Sequence, residues 1–372
     1  MFTHQIQQGV ELLNNRQGIE AAALFHHLLT AQPDNVACWD YLATALYMTD
    51  QHDEAEQAFR RCIELGARYP ETLLNAVHNA VQLQNPVRQL AYARFLTELD
   101  GQPRFEGLRQ SADALSKAGR HVDALAACQQ LLREQPDDFD TQVLTVRKLL
   151  NAGMSELALE RCQLLLRQHP GHIPLQLSLI EASFVTGNMA DGFRFARQLL
   201  ENDPENLSAM SALGFHYQFS PDISIEQRRA HAQRFGQLVS SRISPMAPAV
   251  IDRTPGRVLR VGLLTGDLRH HPVGFFMHAL LKALKHSSLQ FDVFDPVQKH
   301  DALTHDIRSY VSNWHDVAGC SDAVIAQTIR DNQIDILLDL QGYMTANRLA
   351  VYAWRPAPLQ ISWMGFQGTT GA

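Results

Sequence analysis

The chain is short of cysteine, of positive charge and of long apolar runs, and each shortage excludes a class of protein. Five cysteines stand among 372 residues, scattered and with no Cys-x-x-Cys spacing. An odd, dispersed set fits reduced thiols and argues against a disulfide framework or a zinc site. Lys and Arg number 32 against 39 Asp and Glu, a formal net charge of −7, which excludes nucleic-acid binding through overall basic charge. No apolar run approaches the roughly 18 residues that a bilayer span requires. The start, Met1-Phe2-Thr3-His4-Gln5-Ile6, has neither the basic lead nor the apolar core of a secretory signal. A cytoplasmic protein with no nucleic-acid and no membrane partner is the expectation. What is present is ordinary globular material, 45% apolar and 19% charged, long enough for two or three domains.

Residues 1–220 repeat. Ala21, Ala55, Ala124, Ala158 and Gly192 are spaced by 34 residues or close to twice that, and Phe25, Phe59, Cys128, Cys162 and Ala196 follow four residues later. Pro33, Pro136, Pro170 and Pro204 keep the same phase. A small residue lets paired helices approach, a bulkier one fills their groove, and proline ends the second helix. That is the tetratricopeptide pattern. Between Gly66 and Gly101 the period slips by one residue and Pro86 interrupts it, so a degenerate third repeat is expected there. Cys128 and Cys162 are read as small core residues on successive units. Such solenoids present a concave face to a protein or peptide, and that is the default role of this segment.

From Ser220 the repeat ends. Asp222 or Ser224 caps a helix whose Arg228, His231 and Arg234 suggest a solvated basic face rather than an anion site. Ser244 to Gly256 holds three prolines and reads as a linker, so the segment 221–256 is helix and linker. Strands and helices then alternate over 257–372, the strands being Arg257–Thr265, Phe291–Phe294, Ile334–Leu340 and Leu359–Met364, with a short apolar piece near Val317. A helix is expected over Ala302–Asn313. Alternation at these lengths predicts a mostly parallel, Rossmann-like sheet covered on both faces.

Ligands of such sheets bind beyond the carboxyl ends of the strands. Three loops leave those ends: Gly266–Pro272 with Asp267 and His271, Gln341–Thr345 with Tyr343 and Thr345, and Gly365–Gly371 with three glycines. Glycine permits close backbone approach, so the last loop is a candidate sugar or phosphate cradle. If the loops meet, a histidine, hydroxyls and backbone N–H groups suit a sugar, a diphosphate, or both. Asp335 and Asp339 read as structural acceptors, and Arg355-Pro356 as a rigid entry to the last strand.

These motifs resemble the O-GlcNAc transferase family. The likeness rests on Arg260-Val261-Gly262, Asp267 with His271-Pro272-Val273-Gly274, Ile334-Asp335-Ile336-Leu337, Asn347-Arg348-Leu349, Arg355-Pro356-Ala357-Pro358-Leu359-Gln360, Trp363-Met364-Gly365 and Gly368-Thr369-Thr370-Gly371. The resemblance implies a tetratricopeptide solenoid ahead of the first lobe of a two-lobed GT-B glycosyltransferase. The family moves N-acetylglucosamine or a related sugar from a UDP-sugar to protein Ser/Thr hydroxyls, with inversion and with neither metal nor cofactor. His271 would then lie beside the sugar and the attacking hydroxyl, as base or as hydrogen-bond partner. Met364, Gly365, Gly368 and Thr369 would line the donor sugar, and Asp267, Tyr343, Thr345 and Asn313 would form the surrounding shell. The solenoid would hold the acceptor protein. The family's second lobe, which holds the uridine and diphosphate, is not in residues 1–372, so the expectation is that UDP-sugar binds only with that lobe and that this chain alone is inactive.

The alternative reading is a non-catalytic tetratricopeptide scaffold with a degenerate α/β cap. It draws on Asn313, Met344 and Gln367, where family members carry other residues. A nicotinamide enzyme is disfavoured, because the first strand runs into Thr265-Gly266-Asp267-Leu268-Arg269 and not Gly-x-Gly-x-x-Gly.

Overall fold

A computed structural model describes residues 2–248, 251–297 and 299–371. Two residues of the expected linker, 249 and 250, thus lie outside the described residues. The chain forms two compact units, Met1–Ser178 and Leu179–Ala372.

The first unit is built of helix pairs: α1 (Phe2–Asn14) with α2 (Gly18–Ala31), α3 (Val36–Met48) with α4 (His52–Glu64), α5 (Pro70–Gln82) with α6 (Pro86–Thr97), α7 (Gln102–Lys117) with α8 (His121–Glu134), and α9 (Phe139–Asn151) with α10 (Ser155–Gln168). The division between units falls inside α11 (Ile173–Val185). The repeat residues do what their spacing requires. Ala21, Ala55, Ala124 and Ala158, and with them Phe25, Phe59, Cys128 and Cys162, are fully buried. Truncating Phe25 or Phe59 to alanine would cost about 3–5 kcal/mol. Pro33, Pro136 and Pro170 stand just beyond the ends of α2, α8 and α10. The third repeat is not degenerate. Pro86 opens α6 at its first position, where a missing N–H costs nothing, and Asn85 caps it by accepting the Arg88 N–H at 3.0 Å. None of the five cysteines forms a disulfide.

The second unit begins with the end of α11 and continues through α12 (Met189–Asn202), α13 (Leu207–His216), a 3-10 turn at Tyr217–Phe219, and α14 (Ile225–Ser241). At Gly192 an added Cβ would lie 2.5 Å from the Phe184 ring, so a larger residue there would require that ring to shift. Ser224, not Asp222, caps α14 in a reciprocal capping box with Gln227. The basic face is in part solvated, Arg234 being exposed, and it also meets carbonyls of preceding segments. Arg228 donates to Ser220 O, Arg234 to Pro204 O, and the His231 Nε2 lies 2.8 Å from Met210 O. Pro204 and Ser220 lie just past the ends of α12 and of the 3-10 turn, where carbonyls lack helical partners, whereas Met210 lies within α13.

The α/β part runs β1 (Leu259–Leu264), α15 (Pro272–Leu284), β2 (Leu289–Asp295), α16 (Ala302–Arg308), β3 (Asn313–Asp316), α17 (Asp322–Asp331), β4 (Ile336–Asp339), α18 (Leu349–Ala353) and β5 (Leu359–Ser362). The described strands form one sheet in the order β3-β2-β1-β4-β5, all parallel. α16 stops at Arg308, and Asn313 belongs to a strand rather than to a helix. The central strand is anchored at its start. Arg257 grips Asp335 with two bonds of 2.8 and 2.6 Å, and Asp335 also accepts the Arg260 N–H. No helix among the described residues is long and apolar enough to cross a membrane.

Candidate functional site

The strand order sets the site. From β1 the chain steps outward through β2 to β3 and then returns to the other side of β1 with β4. The carboxyl ends of β1 and β4 therefore flank the switch point where such sheets open a crevice. The loops leaving these two strands and β5 meet there.

Asp267, buried in the first loop, is the hub. Its carboxylate accepts from Arg269 Nη2 at 3.1 Å and from Gln341 Nε2, in the second loop, at 3.5 Å. The His271 Nδ1 lies 4.0 Å from it. His271 ends the first loop as the N-cap of α15, its Nδ1 accepting the Val273 N–H at 3.3 Å, with Pro272 at the first helical position. Accepting at Nδ1 puts the proton of the neutral ring on Nε2. The ring, half-buried, thus offers a donor outward in this arrangement. The loop is also tied sideways, since Asp301 accepts both the His270 N–H at 2.6 Å and its ring nitrogen at 3.1 Å. Burial alone would raise the Asp301 carboxyl, but these bonds and those from Thr304 outweigh it and hold it well below the usual carboxylate range.

Asp339 joins the second and third loops, as a structural acceptor. Its Oδ1 accepts the N–H groups of Gln341 and Gly342, both at 2.9 Å, and its Oδ2 accepts Ser362 Oγ at 2.8 Å. The third loop then turns sharply: Met364 sits at φ +65° and the Gly365 N–H reaches back to Trp363 O at 2.8 Å. Its glycines are there for close approach, and the approach is to protein. A Cβ on Gly365 would lie 1.6 Å from Leu340 O, one on Gly368 3.1 Å from the Gln218 side chain, and one on Gly371 1.8 Å from Ala232 O. Among the described residues no group of three or more His, Cys, Asp or Glu side chains is placed to hold a metal ion.

Comparison with known proteins bears on this geometry. Residues 205–372 match the model of glycosyl transferase family 41, and residues 6–70 match a tetratricopeptide repeat model. A probable UDP-N-acetylglucosamine–peptide N-acetylglucosaminyltransferase SPINDLY of Oryza sativa subsp. japonica is 31% identical over 180 residues, 46% of this chain and 19% of that protein. The corresponding enzyme SEC of Arabidopsis thaliana is also 31% identical over 180 residues, 45% of this chain and 18% of its own. The structure of a point mutant of the Thermobaculum terrenum O-GlcNAc transferase superposes with a TM-score of 0.66 at 27% identity, covering 72% of this chain and 51% of that one. The chain spans about a fifth of the length of the curated relatives it matches and about half of the solved one.

Within the segment that matches the family 41 model the expected residues divide. Asp267 and His271 stand together, with Gln341 beside them. Met364, Gly365, Gly368 and Thr369 lie on the third loop, Thr369 exposed and accepting the Gly371 N–H at its Oγ1. Thr345 exposes its side chain and gives its carbonyl to Gln341. Asn313 does not join them. It lies on the opposite edge strand, donating to Asp292 at 2.9 Å. Tyr343 is buried, and burial pushes its hydroxyl well above the ordinary value. Trp363 is exposed, together with Leu359 and Ile361 on the edge strand β5, whereas Phe366 is buried against Tyr343 at 5.2 Å. Gln341, absent from the sequence-based candidates, is the residue they lack. A polar side chain just after the buried run Ile334–Leu340 at the switch point was the available signal.

Proposed function

We propose that this chain supplies the repeats and the first α/β lobe of a protein O-glycosyltransferase that moves a sugar, N-acetylglucosamine, from a UDP-sugar to Ser or Thr of a protein held by the repeats. The observation that carries this reading is His271 beside Asp267 and Gln341 at the sheet's switch point, within the family 41 segment. Domains are assigned as 1–220 for the repeats, 221–256 for helix and linker, and 257–372 for the lobe.

Transfer forms a bond from the acceptor oxygen to the sugar's anomeric carbon and breaks the carbon–phosphate oxygen bond, so the hydroxyl proton must leave and the phosphate charge must be stabilised. With Nδ1 accepting the Val273 N–H, His271 presents Nε2–H and serves as a donor to a substrate oxygen. To act as base through Nε2 it must move its proton to Nδ1, give up the capping bond, and face Asp267 Oδ2 instead. Asp267, held by Arg269 and Gln341, favours that second tautomer when acceptor binds. Met364 and Gly365, through their turn, and Gly368 and Thr369 are assigned to the sugar. The reading needs neither metal nor cofactor, and assigns the diphosphate to the second lobe present in longer family members.

Calorimetric titration of UDP and UDP-N-acetylglucosamine tests this, into the chain and into the same chain extended by whatever coding sequence follows it. Binding by the extended protein, weakened at least tenfold in transfer rate by His271→Ala, is the expected result. Silence from both proteins refutes it in favour of a non-catalytic scaffold.

A further inference from the structure

The third loop is held by the helices that precede the lobe as well as by its own sheet. Tyr343 makes the connection. Its hydroxyl donates to Thr370 O at 2.7 Å. Its ring stands edge-on to Phe235 of α14 at 5.0 Å and to Phe366 at 5.2 Å, with His231 at 6.3 Å. On α13 the ring leaves no room for a side chain, since a Cβ on Gly214 would be 2.7 Å from it. The loop itself touches the same helices, at Gly371 against Ala232 O and at Gly368 against Gln218. Behind these, Tyr217 packs on His231 at 5.2 Å and Phe193 on Tyr217 at 5.4 Å, so rings continue from α12 to the loop.

We propose that Tyr343 is a positioning residue that sets the Gly365–Gly371 loop from α13 and α14, making the helices that precede the lobe part of the donor-sugar site. It touches no reacting atom. Its hydroxyl fixes one carbonyl of a loop whose backbone is assigned to the sugar, and its ring transmits the position of α14. This rests on the proposed function only in what the loop binds. How the loop is held is a property of the chain itself.

The test has two arms. In the first, amide hydrogen exchange is followed over 365–371 in the intact chain and in Tyr343→Phe, which keeps the ring and removes one hydroxyl. Tyr352→Phe is the comparator, since its buried hydroxyl has no hydrogen-bond partner among the described residues. Tyr343→Phe should speed exchange in the loop about five- to tenfold, the factor that one net hydrogen bond corresponds to, and Tyr352→Phe should leave the loop unchanged. Equal exchange in wild type and Tyr343→Phe, or the same acceleration in both variants, overturns the proposal. In the second arm, Tyr343→Phe in the extended protein should weaken UDP-sugar affinity at least fivefold and leave acceptor-peptide affinity within twofold. Equal loss of both marks general destabilisation and refutes positioning. If the wild-type protein binds no nucleotide, the functional reading fails while the exchange arm still decides how the loop is held.

Discussion

Gly365→Ala is the sharpest probe of the loop packing. The new Cβ would lie 1.6 Å from Leu340 O and 2.5 Å from its carbonyl carbon, both backbone atoms that no rotamer change can move. Ordinary contact at 3.4 Å requires the β4 and β5 loops to separate by about 1.8 Å. That shift strains the Trp363 N–H bond to Asp339 O at 2.8 Å, the Ser362 bond to Asp339, and the Gly342–Phe366 contact, where the backbone also has no slack. Overpacking of this kind costs about 1–3 kcal/mol, and with bonds strained beside it the upper end, about 3 kcal/mol, is expected. For a unit of this size that lowers the midpoint by roughly 6–12 °C. Tryptophan fluorescence reads the right unit, since Trp314, Trp354 and Trp363 lie in the second and only Trp39 in the first. The unsubstituted chain is the control. A Gly365→Ala melting point within a degree or two of the control would refute the inferred close approach.

Arg330 donates to three carbonyls, Pro356 O at 2.9 Å, Ala247 O at 2.7 Å and Arg355 O at 2.5 Å. Arg330→Ala should therefore cost about 2–3 kcal/mol in urea unfolding, and Arg330→Lys should recover less than half of it, because an ammonium cannot span the fork. His216, stacked on Phe184 at 3.7 Å, has its pKa lowered by burial to about 4. The folded state thus resists a proton that the unfolded state accepts, so stability is full above about pH 6.5 and falls as pH drops toward 4. Discounted for its partial exposure, the loss is about 1–2 kcal/mol. It should shrink in His216→Gln when melting points are compared at pH 7 and pH 4.5.

Much of the fold was legible because it rests on periodicity. A 34-residue phase survives any single substitution, and buried strand runs such as Ile334–Leu340 announce themselves. What misled was local. Pro86 looked like a break because proline interrupts helix interiors, yet the first helical position tolerates it. For the basic residues of α14, sequence could not show that Ser220, Pro204 and Met210 turn their carbonyls toward them. Asn313 was drawn into the site by its place in a family motif, while its strand lies at the far edge of the sheet. The glycine run was legible as close approach but not as to what. Leu340 O, Gln218 and Ala232 O are 25, 150 and 139 residues away in sequence, and no local pattern encodes such partners.

The position of β1 has a consequence for how the chain acquires its structure. The repeat helices contact their neighbours in sequence and can form as they emerge. β1 lies at the centre of its sheet, and its β4 partner arrives some 75 residues later, the separation of Arg260 from Asp335. At a synthesis rate of about 5–20 residues per second, β1 waits roughly 4–15 s with its apolar residues uncovered on one flank. Slow, non-local pairing of this kind makes the nascent lobe the segment most in need of a chaperone.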